Sequence, residues 1–421
     1  MLFEIECSNN KTYLFDNETL MIWNPNGVLV NFENDIRFRS FKTDKKITNK
    51  PLYNKNNPIV GKSNIDRIKL SLGFKCNYKC EYCWQRQFEQ VAIDATPMLV
   101  DSFLEKLRKI DLSNCKRLEF WGGEPLVYIK TLKLLIPKLR QEYPEMDLIM
   151  LSNGSLLTKE LVDFFMQYRV IYGISHDGPA FTQYRDKEDP FEANLEAIQY
   201  LCYQSLEKQK RAPWFAVTLN RYNYKLPELC KFFEEKLGKD CPYYIHVDNM
   251  IECANKDDFA KFVLSDAEFL EFTKYALDAY LNPNNPFFDD FSKHLRNTLF
   301  ALVNRIGPWK DPYGCDIASH KTLALNMRGD VLSCHSYPDD VVGNISNLDK
   351  VSISKFTHWI YRDNCSSCPI LFLCKGGKIC TSNEEQRWVC KSMLMWKYPM
   401  FLAAWRVLFN TDINCIKEHR S

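Results

Sequence analysis

Ten of the chain's 17 cysteines fall into two groups whose spacing is chemical rather than random. The first is Cys76-Asn77-Tyr78-Lys79-Cys80-Glu81-Tyr82-Cys83, three thiols separated by three and two residues. Three thiolates on one loop can hold three irons of a cubane iron–sulfur cluster and leave the fourth iron open to another ligand. A structural zinc ion is the plain alternative. Zinc takes four ligands, commonly in paired groups, and no fourth Cys or His stands near this stretch. The second group is Cys315, Cys334, Cys365, Cys368, Cys374, Cys380 and Cys390, for which two zinc knuckles are the alternative. The other cysteines, Cys7, Cys115, Cys202, Cys230, Cys241, Cys253 and Cys415, are scattered and read as small buried apolar side chains.

The elements that must position these thiols are legible as an alternation of strands and helices from Arg67 onward. Ile68–Ser71, Leu118–Trp121, Leu148–Leu151, Val170–Ile174, Phe215–Leu219 and Tyr244–Val247 read as strands. Amphipathic helical stretches separate them: Pro97–Ile110, Ile129–Glu142, Lys159–Tyr168, Phe191–Glu207 and Leu226–Leu237. Six strands separated by helices predict a parallel sheet, open or curled into a partial barrel, with its site at the C-terminal strand ends. Before it, Tyr13–Phe15, Leu20–Trp23 and Val28–Val30 predict a small β-rich lead-in, and Lys42–Asn57 a surface loop. After it come helices over Ala267–Leu281 and Phe288–Arg305, the cysteine-rich tract, and an apolar helical tail from Met393 to Phe409.

Polar motifs follow the predicted strand ends in order. Gly122-Gly123-Glu124-Pro125-Leu126 follows the second strand and Ser152-Asn153-Gly154 the third. Ser175-His176-Asp177-Gly178-Pro179 follows the fourth, with Tyr184-Arg185-Asp186 shortly after. With the Cys76–Cys83 spacing and Tyr82 before its third cysteine, this ordered set over roughly 67–250 resembles the radical S-adenosylmethionine (SAM) superfamily. The resemblance implies a partial (β/α)6 barrel binding SAM and a [4Fe–4S] cluster on Cys76, Cys80 and Cys83. It implies SAM contacts from Tyr82, Gly122, Gly123, Glu124, Ser152, Asn153, Ser175, Asp177 and Arg185. These types suit the ligand: Glu124 can accept from an ammonium, Arg185 can clamp a carboxylate, and glycines let backbone approach closely.

The C-terminal tract resembles the SPASM domain, a twitch-type module of peptide- and protein-modifying radical SAM enzymes that holds two auxiliary [4Fe–4S] clusters. That resemblance implies Cys365, Cys368, Cys374 and Cys390 on the distal cluster and Cys315, Cys334 and Cys380 on the proximal one. Two departures stand out. Five residues lie between Cys374 and Cys380 where the family has three, and no cysteine occurs in Arg305–Lys310, where the fuller version has one. His320 and His335 are candidates for the iron left open. In the sulfatase-maturing subgroup an Asp follows the cysteine matching Cys334; here it is His335, which lowers that reading.

The implied activity is reductive cleavage of SAM to a 5′-deoxyadenosyl radical and hydrogen abstraction from a residue of a ribosomally made peptide. An oxidative change such as a thioether or carbon–carbon crosslink would follow. A formylglycine-forming sulfatase maturase and a non-catalytic iron–sulfur sensor or scaffold are the alternatives. Expected partners are a peptide or protein substrate and an electron donor such as flavodoxin or ferredoxin. At the end of the sixth strand, His246 and Asp248 share a face by alternation and are candidates to position substrate or take a proton.

Composition agrees with this class. The 421 residues carry a net charge of +2, with 46% hydrophobic and 26% charged, an ordinary balance that predicts no nucleic-acid partner. The apolar runs are too short for a signal peptide or a membrane span, so a cytoplasmic protein with reduced thiols is expected. The expected division is a lead-in at 1–65, a radical SAM core at 66–255, a helical linker at 256–314, a cluster domain at 315–392 and a helical tail at 393–421.

Overall fold

The computed structural model describes residues 1–41, 52–88, 94–250, 253, 255–310, 315–337, 340–378 and 380–419, without the side chains of residues 87, 248–250 and 383. Most of the surface loop expected over 42–57 lies outside them. By contacts the chain divides into two units, and the division does not run linearly. One comprises 58–263 and 316–353, the other 1–57, 264–315 and 354–421.

The first unit is built on a mixed sheet. Its strands are β5 (Arg67–Ser71), β6 (Arg117–Trp121), β7 (Asp147–Ser152), β8 (Val170–Ser175), β9 (Trp214–Leu219), β10 (Tyr244–Met250), β11 (Thr322–Asn326), β12 (Asp330–Leu332) and β13 (Val341–Asn344). They lie in the order β10-β9-β8-β7-β6-β5-β11-β12-β13. The six predicted strands are all present, parallel and in sequence order. Helices from the intervening segments bury one stripe each. Val100–Leu107 buries Val100, Phe103, Leu104 and Leu107, and Ile129–Glu142 buries Leu132, Leu135, Ile136 and Leu139. That spacing is one helical face, and sheet residues such as Leu118, Phe120, Leu148 and Met150 are buried as well.

Sequence patterning missed the rest of the sheet. β11, within the tract assigned to the cluster domain, pairs in parallel with β5 from Thr322↔Arg67 to Asn326↔Ser71, and β12 and β13 extend it antiparallel. All five β11 residues are buried, so it shows no alternation to read. A short pair, β4 (Ile59–Val60) with β14 (Ser352–Ile353), completes the unit. Two cysteines read as scattered, Cys202 and Cys241, lie near enough to influence one another's titration.

The second unit contains a four-stranded antiparallel sheet, β15-β1-β2-β3, formed by β1 (Leu2–Cys7), β2 (Thr12–Asp16), β3 (Ile22–Trp23) and β15 (Ile413–Glu418). The lead-in expectation was partly met: β1 was not foreseen, and residues 28–30 make only a single bridge, Trp23↔Leu29. One face packs on a continuous helix, Asn383–Phe409, through Tyr13 against Trp405 and Phe15 against Phe401. A capping box starts that helix: the Ser382 hydroxyl accepts from Glu385 N and Glu385 from Ser382 N. The helix begins ten residues before the predicted tail and carries Cys390.

Candidate active site at the strand ends

The loop after β5 carries Cys76, Cys80 and Cys83, and it is held by backbone rather than by regular structure. Gly123 N donates to Gly73 O at 2.9 Å, and Glu124 N to Lys75 O at 2.9 Å. Tyr128 accepts from Lys75 N at 3.0 Å and donates to Asp94 at 2.9 Å. The two glycines are needed for this contact. A Cβ at Gly122, whose φ is +154°, would sit 2.4 Å from Gly73 O, and one at Gly123 would sit 2.3 Å from Lys75 O. The close approach that they permit among the described residues is to the cysteine loop. The three thiols are free and lie within electrostatic reach of one another. Burial pushes Cys76 up to about 12, so as a free thiol it is protonated, and only ligation would make it a thiolate.

Glu124 anchors the strand-end motifs. Its wholly buried carboxyl accepts from Leu126 N at 2.9 Å, Ser152 Oγ at 2.7 Å and Asn153 N at 2.7 Å. Burial raises its pKa, opposed by these hydrogen bonds and by Arg185. A carboxylate has about four acceptor sites, so one remains for an outside donor. Asn153 then reaches the cysteine loop, donating to Asn77 Oδ1 at 3.0 Å, while Asn77 donates to Ser155 Oγ at 2.8 Å. Asn77 was not singled out from sequence. Its place between Cys76 and Cys80 was the available signal.

Asp177 and Arg185 form the other half. Asp177 is buried, accepting from Tyr82 Oη at 2.5 Å and Thr218 N at 3.0 Å, with Arg185 Nη1 at 3.7 Å. Burial works against the Arg185 charge, but Tyr82, Asp177 and Cys80 outweigh it and keep it charged. The guanidinium lies 5.6 Å over the Phe181 ring, and its Nε and Nη1 are buried without a hydrogen-bond partner. Buried donors are rarely left so. Two orphaned donors on a cation beside Cys80 fit an anionic ligand there. Tyr82 and Asp177 therefore position Arg185 and brace one another. His176 is a core residue: its ring stacks on Phe181 and Phe191, bonds Asp189 at 3.0 Å, and is pushed towards neutrality by burial. Ser175 ends β8 half-buried.

A polar group lines the paired strands β5 and β6. Lys69 lies 3.1 Å from Asp316 and 5.2 Å over the Trp121 ring, and Arg67 reaches both Asp316 and Glu119. Burial would raise the Asp316 pKa, but Lys69, Arg67 and His335 overcome it and lower it. His335 packs against Trp121 at 4.1 Å between ring centroids, and exposed His320 bonds Gly61 O at 2.8 Å. His246 is half-buried on β10, paired with Ala216. The Asp248 side chain lies outside the described residues. The pairing of this strand skips from Val247↔Val217 to Asn249↔Thr218, an irregularity at that point of the ladder.

In the other unit, Cys365, Cys368, Cys374 and Cys390 come within electrostatic reach of one another. Burial pushes the first three thiols up to about 12. Asn17, wholly buried, ties this loop to the sheet by donating to Ser366 O at 2.9 Å and Cys368 O at 2.8 Å. Among the described residues no three Cys, His, Asp or Glu close on a single ion-sized point. Of the remaining three cysteines, Cys315 and Cys380 belong to this unit and Cys334 to the other, after β12.

Residues 70–205 match the family model for the Radical SAM superfamily. A serine-type anaerobic sulfatase-maturating enzyme of Bacteroides thetaiotaomicron is 25% identical over 351 residues, covering 75% of this chain and 82% of that protein. A radical SAM cyclopropyl synthase of Paramaledivibacter caminithermalis is 27% identical over 162 residues, 34% of each chain. The solved structure of native anSMEcpe with bound AdoMet superposes with a TM-score of 0.56 at 18% identity, over 81% of this chain and all of that one, which establishes likeness of fold. The family match, the parallel sheet and the loop of three thiols agree: residues 70–205 form a Radical SAM domain, and a SPASM-type pattern of cysteines follows it in the chain.

Proposed function

We propose that this enzyme abstracts a hydrogen atom from a residue of a peptide or protein and leaves that residue oxidised. The observation that carries the site assignment is Arg185, a buried cation with two orphaned donors beside Cys80 and Asp177. When bound, SAM and the [4Fe–4S] cluster supply one-electron cleavage to a 5′-deoxyadenosyl radical. The residues of the chain orient and shield. Cys76, Cys80 and Cys83 offer three thiolates. Glu124 keeps one acceptor site for the SAM ammonium, and Arg185 presents Nε and Nη1 to its carboxylate. Ser152 and Asn153 fix the Glu124 carboxyl by hydrogen bonds at the same strand ends. Cys365, Cys368, Cys374 and Cys390 are proposed to hold one auxiliary cluster, and Cys315, Cys334 and Cys380 a second, as the SPASM pattern implies.

Sulfatase maturation is a second reading, favoured by the long match to the Bacteroides enzyme. Against it stands His335 where that subgroup carries Asp. The two separate in one assay. Reconstituted protein with dithionite and SAM should release 5′-deoxyadenosine. A sulfatase-type peptide with Cys or Ser should then either gain a formylglycine aldehyde or stay unchanged. Aldehyde formation establishes maturation, whereas no 5′-deoxyadenosine from a protein with its full iron sinks both readings.

A further inference from the structure

A buried cation stands among the C-terminal thiols without a charged hydrogen-bond partner. Arg362 is 4% exposed. Its Nε donates to Thr357 O at 3.3 Å, Nη1 to Gln386 Oε1 at 2.5 Å and Thr381 Oγ1 at 3.4 Å, and Nη2 to Thr381 O at 3.0 Å and Lys378 O at 3.2 Å. All five acceptors are neutral oxygens. Gln386 is itself fixed, donating to Gly376 O at 3.1 Å. The arginine stem lies against Gly376, where an added Cβ would come 3.3 Å from Arg362 Cδ. At the next residue, Gly377, an added Cβ would lie 3.7 Å from Cys374 Sγ. Cys365 N donates to Arg362 O at 3.5 Å.

A full charge in neutral surroundings is costly unless an anion faces it. The groups within electrostatic reach that can become anionic are Cys365, Cys380, Tyr53 and Cys374. A free thiol is neutral at pH 7, but a thiolate bound to iron is not. The fork is held by five protein acceptors, and of the groups around it the sulfurs are the ones that ligation to iron would make anionic. Cys380 shares this guanidinium with Cys365 and Cys374, although the family pattern puts it in the other set.

We propose that Arg362 is the fixed counter-charge of the auxiliary iron–sulfur site and raises its reduction potential. This rests on the reading that those cysteines hold a cluster. Adding an electron makes a thiolate-bound cluster more negative, and a cation locked nearby in a dry site stabilises the reduced state more than the oxidised one. Arg362 acts through the cluster and is a positioning residue, not one that touches substrate.

The test uses full-length protein with Cys76, Cys80 and Cys83 changed to Ala, so that only auxiliary clusters remain. The readouts are iron content and the midpoint potential of the auxiliary signal, followed by electron paramagnetic resonance. Arg362→Gln should keep its iron and lower the midpoint by at least 59 mV, the equivalent of a tenfold change in a one-electron equilibrium. Arg362→Lys should return most of that shift, because it restores charge without the fork. If Arg362→Gln fails to hold iron but Arg362→Lys holds it, charge is again what the site requires. An unmoved midpoint at full iron overturns the inference alone. Equal loss of iron in both variants makes the arginine a hydrogen-bonding strut and also overturns it. Absence of iron from the parent protein overturns the inference together with the auxiliary-cluster reading.

Discussion

Glu124 shows how one buried carboxylate can tie two loops together and still keep an acceptor site. It takes hydrogen bonds from three donors on the loops after β6 and β7, and one site is left over. Glu124→Gln should weaken SAM binding by about 2–4 kcal/mol, because an amide cannot accept from every side and leaves an ammonium unpaired. Calorimetry on the reconstituted protein checks this; wild-type affinity removes Glu124 from the SAM site. A second residue bears on pH. His358 Nδ1 accepts from Ile360 N at 3.3 Å, so its buried, unpartnered Nε2 carries the hydrogen. Burial lowers its pKa to about 4, well under the ordinary value near 6.5. The unfolded chain then takes up a proton that the folded chain refuses. Stability is full above about pH 6.5 and falls as pH drops towards 4, by about 3 kcal/mol for this group. His358→Gln should flatten that loss, read as the difference in denaturant midpoint between pH 7 and pH 5. An unchanged difference rejects the assignment.

At the scale of elements, the strand-end loops work because they pack on one another before any ligand arrives. Gly122 and Gly123 lie directly on the backbone of the cysteine loop, which cannot retreat without moving Cys76. Gly123→Ala should cost about 1–3 kcal/mol and lower iron at the core site while auxiliary iron stays. Full core iron and normal 5′-deoxyadenosine release in this variant contradict the packing argument. The irregularity in β10 sets another expectation. If Asp248 serves substrate, Asp248→Asn should leave SAM cleavage intact and reduce peptide modification at least tenfold. Parallel loss of both, or neither, excludes that role.

At the scale of the whole molecule, ten cysteines are assigned to three clusters, so anaerobically reconstituted protein should carry about twelve irons. Replacing Cys76, Cys80 and Cys83 by Ala should remove about four and abolish 5′-deoxyadenosine. Replacing Cys365, Cys368, Cys374 and Cys390 should remove a different four and leave SAM cleavage. Zinc as the dominant metal, or SAM cleavage by the first variant, contradicts the assignment. Among the described residues no helix is long and apolar enough to cross a membrane.

What the sequence determined by itself is what local chemistry dictates. Cysteine spacing, glycine pairs and strand-to-helix alternation are short-range signals, so the six parallel strands, two helix spans to the residue and the order of the strand-end motifs could all be read directly. Only the tertiary structure decided the remainder. β11 is buried throughout and has no period to betray it, and its partner β5 lies some 250 residues earlier in the chain. β1 and β15 find each other across the length of the chain. The hydrogen bonds of Tyr82, Asp177 and Ser152, the close packing at Gly122 and Gly123, and the setting of Arg362 all depend on which groups burial brings together. A residue type declares what it can bond, but its partners are chosen by packing, and packing is not a local property of the chain.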